Sequence, residues 1–255
     1  MAGFGEQKNR KEKSKPEQKP QTRGETLARI AINHHRHGDL ANAENAYREA
    51  METGYYHHSI FTNLGVICKS TGRLDEAILL YKRAIETSPD RAVAYVNLGN
   101  LYYELNNFVD ALTFSSKGLE LQPENIDALI TAGSSHQQLG NLDQALAYTL
   151  QSLELKADNP TVHMNLGCIY KDLGNLEQAL ASILKSLELK PDNPDALSKL
   201  FYIYGEGDLP VLKVTALRAA EHNPLILNNL RYVEAISSLG KDFAKKIIST
   251  TTSVN

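Results

Sequence analysis

The chain has 255 residues, 42% of them apolar and 22% charged, with a net charge of −3, the composition of a protein able to bury a core. No run approaches the roughly 18 apolar residues of a membrane span, and the N-terminus lacks the apolar stretch of a secretory signal. Neither membrane insertion nor secretion is indicated, and a cytoplasmic location is expected.

Residues 1–23 hold seven Lys or Arg and three Glu, with too little apolar content to offset the entropy of ordering. A disordered basic arm is expected there, and the remainder of the chain carries a net −7. The arm has no aromatic interleaving and no amphipathic stripe. It suits a solubilising tail better than a contact with nucleic acid or membrane.

From Gly24 onward the text recurs every 34 residues: Asn63-Leu64-Gly65, Asn97-Leu98-Gly99 and Asn165-Leu166-Gly167 are equivalent, with Thr131-Ala132-Gly133 in the intervening place. The frames run 24–57, 58–91, 92–125, 126–159 and 160–193, with a degraded sixth from Pro194. A fixed period of this size means stacked supersecondary units rather than one globular core, here an elongated array over 24–206. Each frame holds two apolar-periodic segments of about 13 residues, which predict an amphipathic helix A followed by an amphipathic helix B. The turn between them contains Gly38, Gly72, Gly140 or Gly174, with Asn106 in the third frame. These are the residues that a left-handed helix C-terminus accepts.

Small residues predict how the helices cross. Ala31, Gly65, Gly99, Gly133 and Gly167 stand eighth in their frames, and Ala43, Ala77, Ala111, Ala145 and Ala179 stand twentieth. A large side chain at either place would hold A and B apart. At position twenty-seven, Ala50, Ala84, Gly118, Ser152 and Ser186 leave room for the next helix A. Asn159-Pro160 and Asn193-Pro194 predict an N-cap followed by an N1 proline.

The period fails after Glu206. Residues 207–249 are expected to form capping helices over the last repeat, from about Pro210 and again from Asn223-Pro224, and 250–255 to fray. Cys68 and Cys168 fall in the second and fifth frames, separated by several helices at roughly 8–10 Å each. A disulfide requires Cα atoms within about 7 Å, so free thiols in a reducing compartment are expected.

The pattern of Leu-Gly at positions seven and eight, Tyr at eleven (Tyr102, Tyr170), Ala at twenty and Pro at thirty-two (Pro89, Pro123, Pro191) resembles the tetratricopeptide repeat. The first and fourth frames depart from it, with His34 and His136 at the tyrosine position and Tyr55 and Ala157 at the proline position. The resemblance implies an all-α, right-handed superhelix, an α-solenoid of helix-turn-helix repeats, whose A helices line a concave groove that binds proteins. The stretch Asn223–Asn229 also resembles the junction after the repeats in some cyanobacterial two-part proteins.

The groove side chains are expected at positions two, five, six, nine, twelve and thirteen of helix A. Position six holds Asn63, Asn97 and Asn165, interrupted by Thr131. An asparagine amide offers two donors and an acceptor, which suits a peptide backbone irrespective of sequence. The row is similar to the asparagine ladder of O-linked N-acetylglucosamine transferases; Asn before Leu-Gly is also common repeat text with a solvated amide. Asn63, Asn97, Asn100 and Asn165 are thus the candidate peptide-binding residues, with Tyr103 and Lys171 adding selectivity. A dicarboxylate clamp would need Lys at position five, where Thr62, Val96, Ile130 and Met164 stand.

Other chemistry lacks a constellation. His34, His35, His37, His57 and His58 cluster in the sequence, but metal binding requires convergence with correct geometry, and His37-Gly38-Asp39 is the ordinary inter-helix turn. There is no Gly-x-Ser-x-Gly and no glycine-rich loop before a lysine. Asp75, Glu76 and Glu177 begin B helices, where carboxylates favour the helix dipole. The expected function is therefore a protein-interaction scaffold, not an enzyme, with no metal or cofactor and with a protein or peptide partner. A second reading makes the chain the substrate-recruiting portion or subunit of a glycosyltransferase, sulfotransferase or iron-dependent hydroxylase. No oligomeric state follows from the sequence.

Overall fold

A computed structural model describes residues 22–206, and the chain divides into two compact units, Met1–Ile60 and Phe61–Asn255. The expected capping helices and frayed tail lie outside the described residues, as does the arm up to residue 21. Arg23, assigned to the arm, is instead the first residue of α1 (Arg23–Arg36). The reason is a capping box that the sequence reading passed over: Thr22 Oγ1 accepts from the Glu25 amide at 3.2 Å, and the Glu25 carboxylate accepts from the Thr22 amide at 2.9 Å. Two of the amides left without partners where a helix opens are satisfied this way.

In the first unit α1 pairs with α2 (Leu40–Glu52). Ala31, Ala43 and the large Tyr47 are wholly buried. Asp39 caps α2 by accepting from the Asn42 amide at 3.3 Å. The Asn42 side chain, together with that bond, holds the Asp39 carboxyl below its ordinary pKa.

The second unit begins within α3 (His58–Ser70). There follow α4 (Leu74–Thr87), α5 (Ala92–Glu104), α6 (Phe108–Leu121), α7 (Ile126–Gln138), α8 (Leu142–Leu155), α9 (Pro160–Asp172), α10 (Leu176–Leu189) and α11 (Pro194–Glu206). Odd-numbered helices are the A helices and even-numbered ones the B helices. No strand occurs among the described residues. In the second unit α6, α8 and α10 each pack on their own A helix and on the next one, and α4 packs on α5. The second unit is an all-α solenoid.

The A–B turns follow from their residues. Gly140 and Gly174 both have φ of +80°, and Asn106 takes the equivalent place at +58°, the left-handed region that asparagine enters more readily than other side chains. Asn159 Oδ1 then caps α9 by accepting from the Thr161 and Val162 amides at 3.1 and 3.4 Å, ahead of Pro160. Gly99 shows why position eight stays small. A Cβ there would lie 3.0 Å from the Ser115 nitrogen and 3.2 Å from the Ala111 oxygen, both backbone atoms of α6.

The core between layers is filled at positions seven and ten. Leu64 and Ile67, Leu98 and Leu101, Leu166 and Ile169, and Leu200 and Ile203 are buried in successive A helices; each such side chain contributes roughly 1.5–3 kcal/mol. The fourth frame differs, with Ala132 and Ser135 at these places, both fully buried. The Ser135 and Ser152 hydroxyls have no hydrogen-bond partner. These two positions bury less apolar surface than the Leu and Ile of the other frames.

Candidate functional site

Within the second unit α5, α7, α9 and α11 touch in succession, so their faces away from the B helices form one surface. Two registers of side-chain contacts cross it. In the first, position six of one repeat meets position nine of the repeat before, 31 residues back. Thr131 Oγ1 donates to Asn100 Oδ1, and Asn165 Nδ2 donates to Ser134 Oγ at 3.0 Å. In the second, position twelve meets position thirteen of the following repeat. Lys69 Nζ contacts Glu104 Oε1 at 2.6 Å, and Gln137 Nε2 donates to Asp172 Oδ2 at 2.7 Å.

These registers decide what each candidate asparagine can offer. Asn100 accepts from Thr131 with its carbonyl and keeps its two N–H donors. Asn165 spends one N–H on Ser134 and keeps the other and its carbonyl. The residue 31 before Asn97 is Val66, a 38% exposed aliphatic residue that can neither donate nor accept. The Asn97 side-chain amide makes no hydrogen bond among the described residues. Asn63 and Lys171 are half-buried, and each is already engaged with a neighbour.

Between α5, α7 and α9 lies an open cleft of about 330 Å³ lined by Asn100, Tyr103, Glu104, Asp127, Ile130, Thr131, Asn159 and Thr161. Asn100 and Tyr103 come together here, whereas Asn63, Asn97, Asn165 and Lys171 lie outside the lining. Tyr103 is half-buried, its ring 5.5 Å from that of Phe108. Burial raises the Tyr103 phenol above its ordinary pKa, opposed by a hydrogen bond shared with Ser134.

Position five does not belong to this surface in the second and third frames. Thr62 and Val96 are buried, and α6 comes so close at Gly118 that a Cβ there would be 2.8 Å from Val96 Cγ2. The sequence reading also missed Thr131 and Ser134 as partners of the asparagines. The signal was present as complementary polar residues 31 apart, 100 with 131 and 134 with 165, but it is invisible when each repeat is compared only with its 34-residue equivalent.

The clustered histidines make local contacts in the first unit: His34 Nδ1 lies 2.9 Å from Asp39 Oδ2, His37 Nδ1 2.7 Å from the Asn33 carbonyl oxygen, and His57 Nδ1 2.8 Å from Ser59 Oγ. Among the described residues no three His, Cys, Asp or Glu side chains converge as a metal site. No described helix is long and apolar enough to cross a membrane.

Family models match the second unit: one described as TPR repeat over residues 65–106, and one described as tetratricopeptide repeat over 92–125, 126–159 and 160–193, together about half of the chain. The chain belongs to the tetratricopeptide repeat proteins. A solved tetratricopeptide repeat protein from Parabacteroides merdae is similar to it over 90% of this chain and 98% of its own, with 20% identity and a TM-score of 0.62. MamA MSR-1 shares 24% identity over 66% of this chain and 97% of its own, with a TM-score of 0.57. A thermophilic TPR protein of Thermus thermophilus shares 20% identity over 71% of this chain and 98% of its own, with a TM-score of 0.55. No curated protein matches the sequence. At these identities the solved structures speak for the fold alone. The tetratricopeptide repeats make the chain a protein-interaction repeat scaffold.

Proposed function

We propose that the tetratricopeptide array binds an extended peptide segment of a partner protein along the A-helix face, as a concave groove, and performs no chemistry of its own. The observation that carries this reading is the row of amides on that face. Asn97 is unbonded, and Asn100 and Asn165 are oriented by Thr131 and Ser134 with donors to spare. Main-chain carbonyls and amides of an extended segment are the complementary groups. A cytoplasmic setting accords with the unbridged Cys68 and Cys168.

The test is affinity capture from native lysate by the full chain and by a variant carrying Asn63→Ala, Asn97→Ala and Asn165→Ala, with partners identified by mass spectrometry and helicity compared by circular dichroism. Loss of a defined partner set from an equally helical variant is the expected result. Recovery of the same partners at the same yield would place binding elsewhere and sink the groove reading. A glycosyltransferase, sulfotransferase or iron-dependent hydroxylase in the lost set would make the chain that enzyme's substrate-recruiting subunit.

A further inference from the structure

The cleft between α5, α7 and α9 has features that a backbone-binding row of amides does not need. Its volume of about 330 Å³ is at the small end of ligand pockets, roughly 300–1,000 Å³, and fits one long side chain. Its lining includes the half-buried Ile130 and the aromatic Tyr103. Two carboxylates, Glu104 and Asp127, also line it. Glu104 is matched by Lys69, whereas Asp127 has no ion pair among the described residues. Asp127 lies in the first turn of α7, where a carboxylate favours the helix N-terminus. That accounts for its charge at this place but not for its facing the cleft.

The amides supply the adjoining anchor. Asn97 and Asn100 are three residues apart on α5, hence on one face. The Asn100 carbonyl is turned to Thr131, which leaves its N–H groups for a ligand carbonyl. A peptide held there by its main chain can direct one side chain into the cleft. An aliphatic stem packs on Ile130, a cationic head meets Asp127, and the Tyr103 ring favours a cation near its face. An anionic side chain would meet Asp127 as a like charge, and an aliphatic one would leave that carboxylate facing an apolar group.

The geometry points to a specificity subsite: the cleft takes a lysine or arginine side chain of the bound segment, with Asp127 as the recognition residue and Tyr103 and Ile130 as its walls. This rests on the peptide-groove reading above and adds to it the chemical class of the residue that the groove selects.

The test is selection of random dodecamer peptides displayed on phage, using the full chain, an Asp127→Asn variant, an Asp127→Glu variant and an Asn97→Ala/Asn165→Ala variant. Wild-type chain is expected to enrich peptides sharing one Lys or Arg. A synthetic copy should bind Asp127→Asn roughly five- to tenfold more weakly, as the loss of one charge-assisted hydrogen bond implies, with much of that recovered in Asp127→Glu. Replacing the shared basic residue by norleucine should weaken binding to wild type similarly and leave binding to Asp127→Asn nearly unchanged. Enriched peptides with no shared basic residue, whose binding falls in the Asn97→Ala/Asn165→Ala variant, would overturn the subsite and leave the groove reading standing. Peptides that bind all four proteins equally, or no enrichment at all, would overturn both.

Discussion

Gly99→Ala is a direct probe of how tightly the repeats are stacked. The new methyl would lie 3.0 Å from the Ser115 nitrogen, 3.4 Å from Ser115 Cα and 3.2 Å from the Ala111 oxygen. All three are backbone atoms, so no rotamer change relieves the contact and α5 must move off α6. Overpacking of this kind costs about 1–3 kcal/mol, offset by about 1 kcal/mol of better helix propensity. A net loss of roughly 1 kcal/mol is expected, a fall in melting temperature of about 2–4 °C for a chain of this size. Ala31 holds the same position in the first unit and is fully buried, so the cost belongs to the spacing of α5 and α6 and not to alanine as such. Gly118→Ala is the companion case. Its methyl would meet Val96 Cγ2 at 2.8 Å, with the next atoms at 3.7 and 3.9 Å. Val96 is buried and β-branched, with one strongly favoured rotamer in a helix, so its methyl yields little and this variant should be destabilised as well. Thermal melts followed by circular dichroism in the far ultraviolet decide the matter; a stabilised Gly99→Ala would refute the packing account.

Three further outcomes follow from single residues. Ser135→Ala removes a fully buried hydroxyl without a partner and should stabilise the unit by about 1 kcal/mol, read as a raised urea midpoint. Asn106→Gly relieves a side chain held at φ of +58° and should raise the melting temperature, by about 0.5–1 kcal/mol of stability, whereas Asn106→Ala should lower it. His136 stacks on Tyr148 with ring centroids 5.4 Å apart, and burial depresses its pKa below the ordinary 6.5. Its contribution to stability is thus complete above that value and lost as pH falls through the depressed one. His136→Tyr, matching Tyr102 and Tyr170, should flatten the dependence of melting temperature on pH between about 7 and 5; an unchanged slope would refute the assignment.

Much of the fold is legible because the chain repeats its instructions. Position-eight glycine, position-twenty alanine, the turn glycines with Asn106, and Asn159-Pro160 each act within one hairpin, so local physics suffices to read them. The surface is less legible because it is built across hairpins. Thr131 looks like a gap in the asparagine row when aligned at 34 residues, yet in the folded chain it is the residue that fixes Asn100. Val96 and Thr62 look like groove residues by helical phase, yet they are buried, in Val96's case under a B helix that the small Gly118 brings near. Both depend on the stagger between neighbouring helices, which no single repeat specifies.

That stagger makes the availability of a groove residue a property of its partner one repeat away, and the dependence can be reversed by substitution. Asn97 is unbonded, and the residue 31 before it is Val66, whereas the residue 31 before Asn165 is its partner Ser134. Val66→Ser should supply the missing partner and draw the Asn97 amide into a hydrogen bond. Val66 is 38% exposed, so little apolar burial is forfeited, and the new bond should contribute about 0.5–1 kcal/mol. The same bond would compete with a ligand for Asn97. Val66→Ser is therefore expected to be slightly more stable than wild type, to slow hydrogen exchange of the Asn97 side-chain amide, and to bind any groove peptide more weakly. Unchanged exchange at Asn97 in a folded Val66→Ser chain would show that the 31-residue register does not extend from α5 to α3, and the special availability of Asn97 would lose its physical basis.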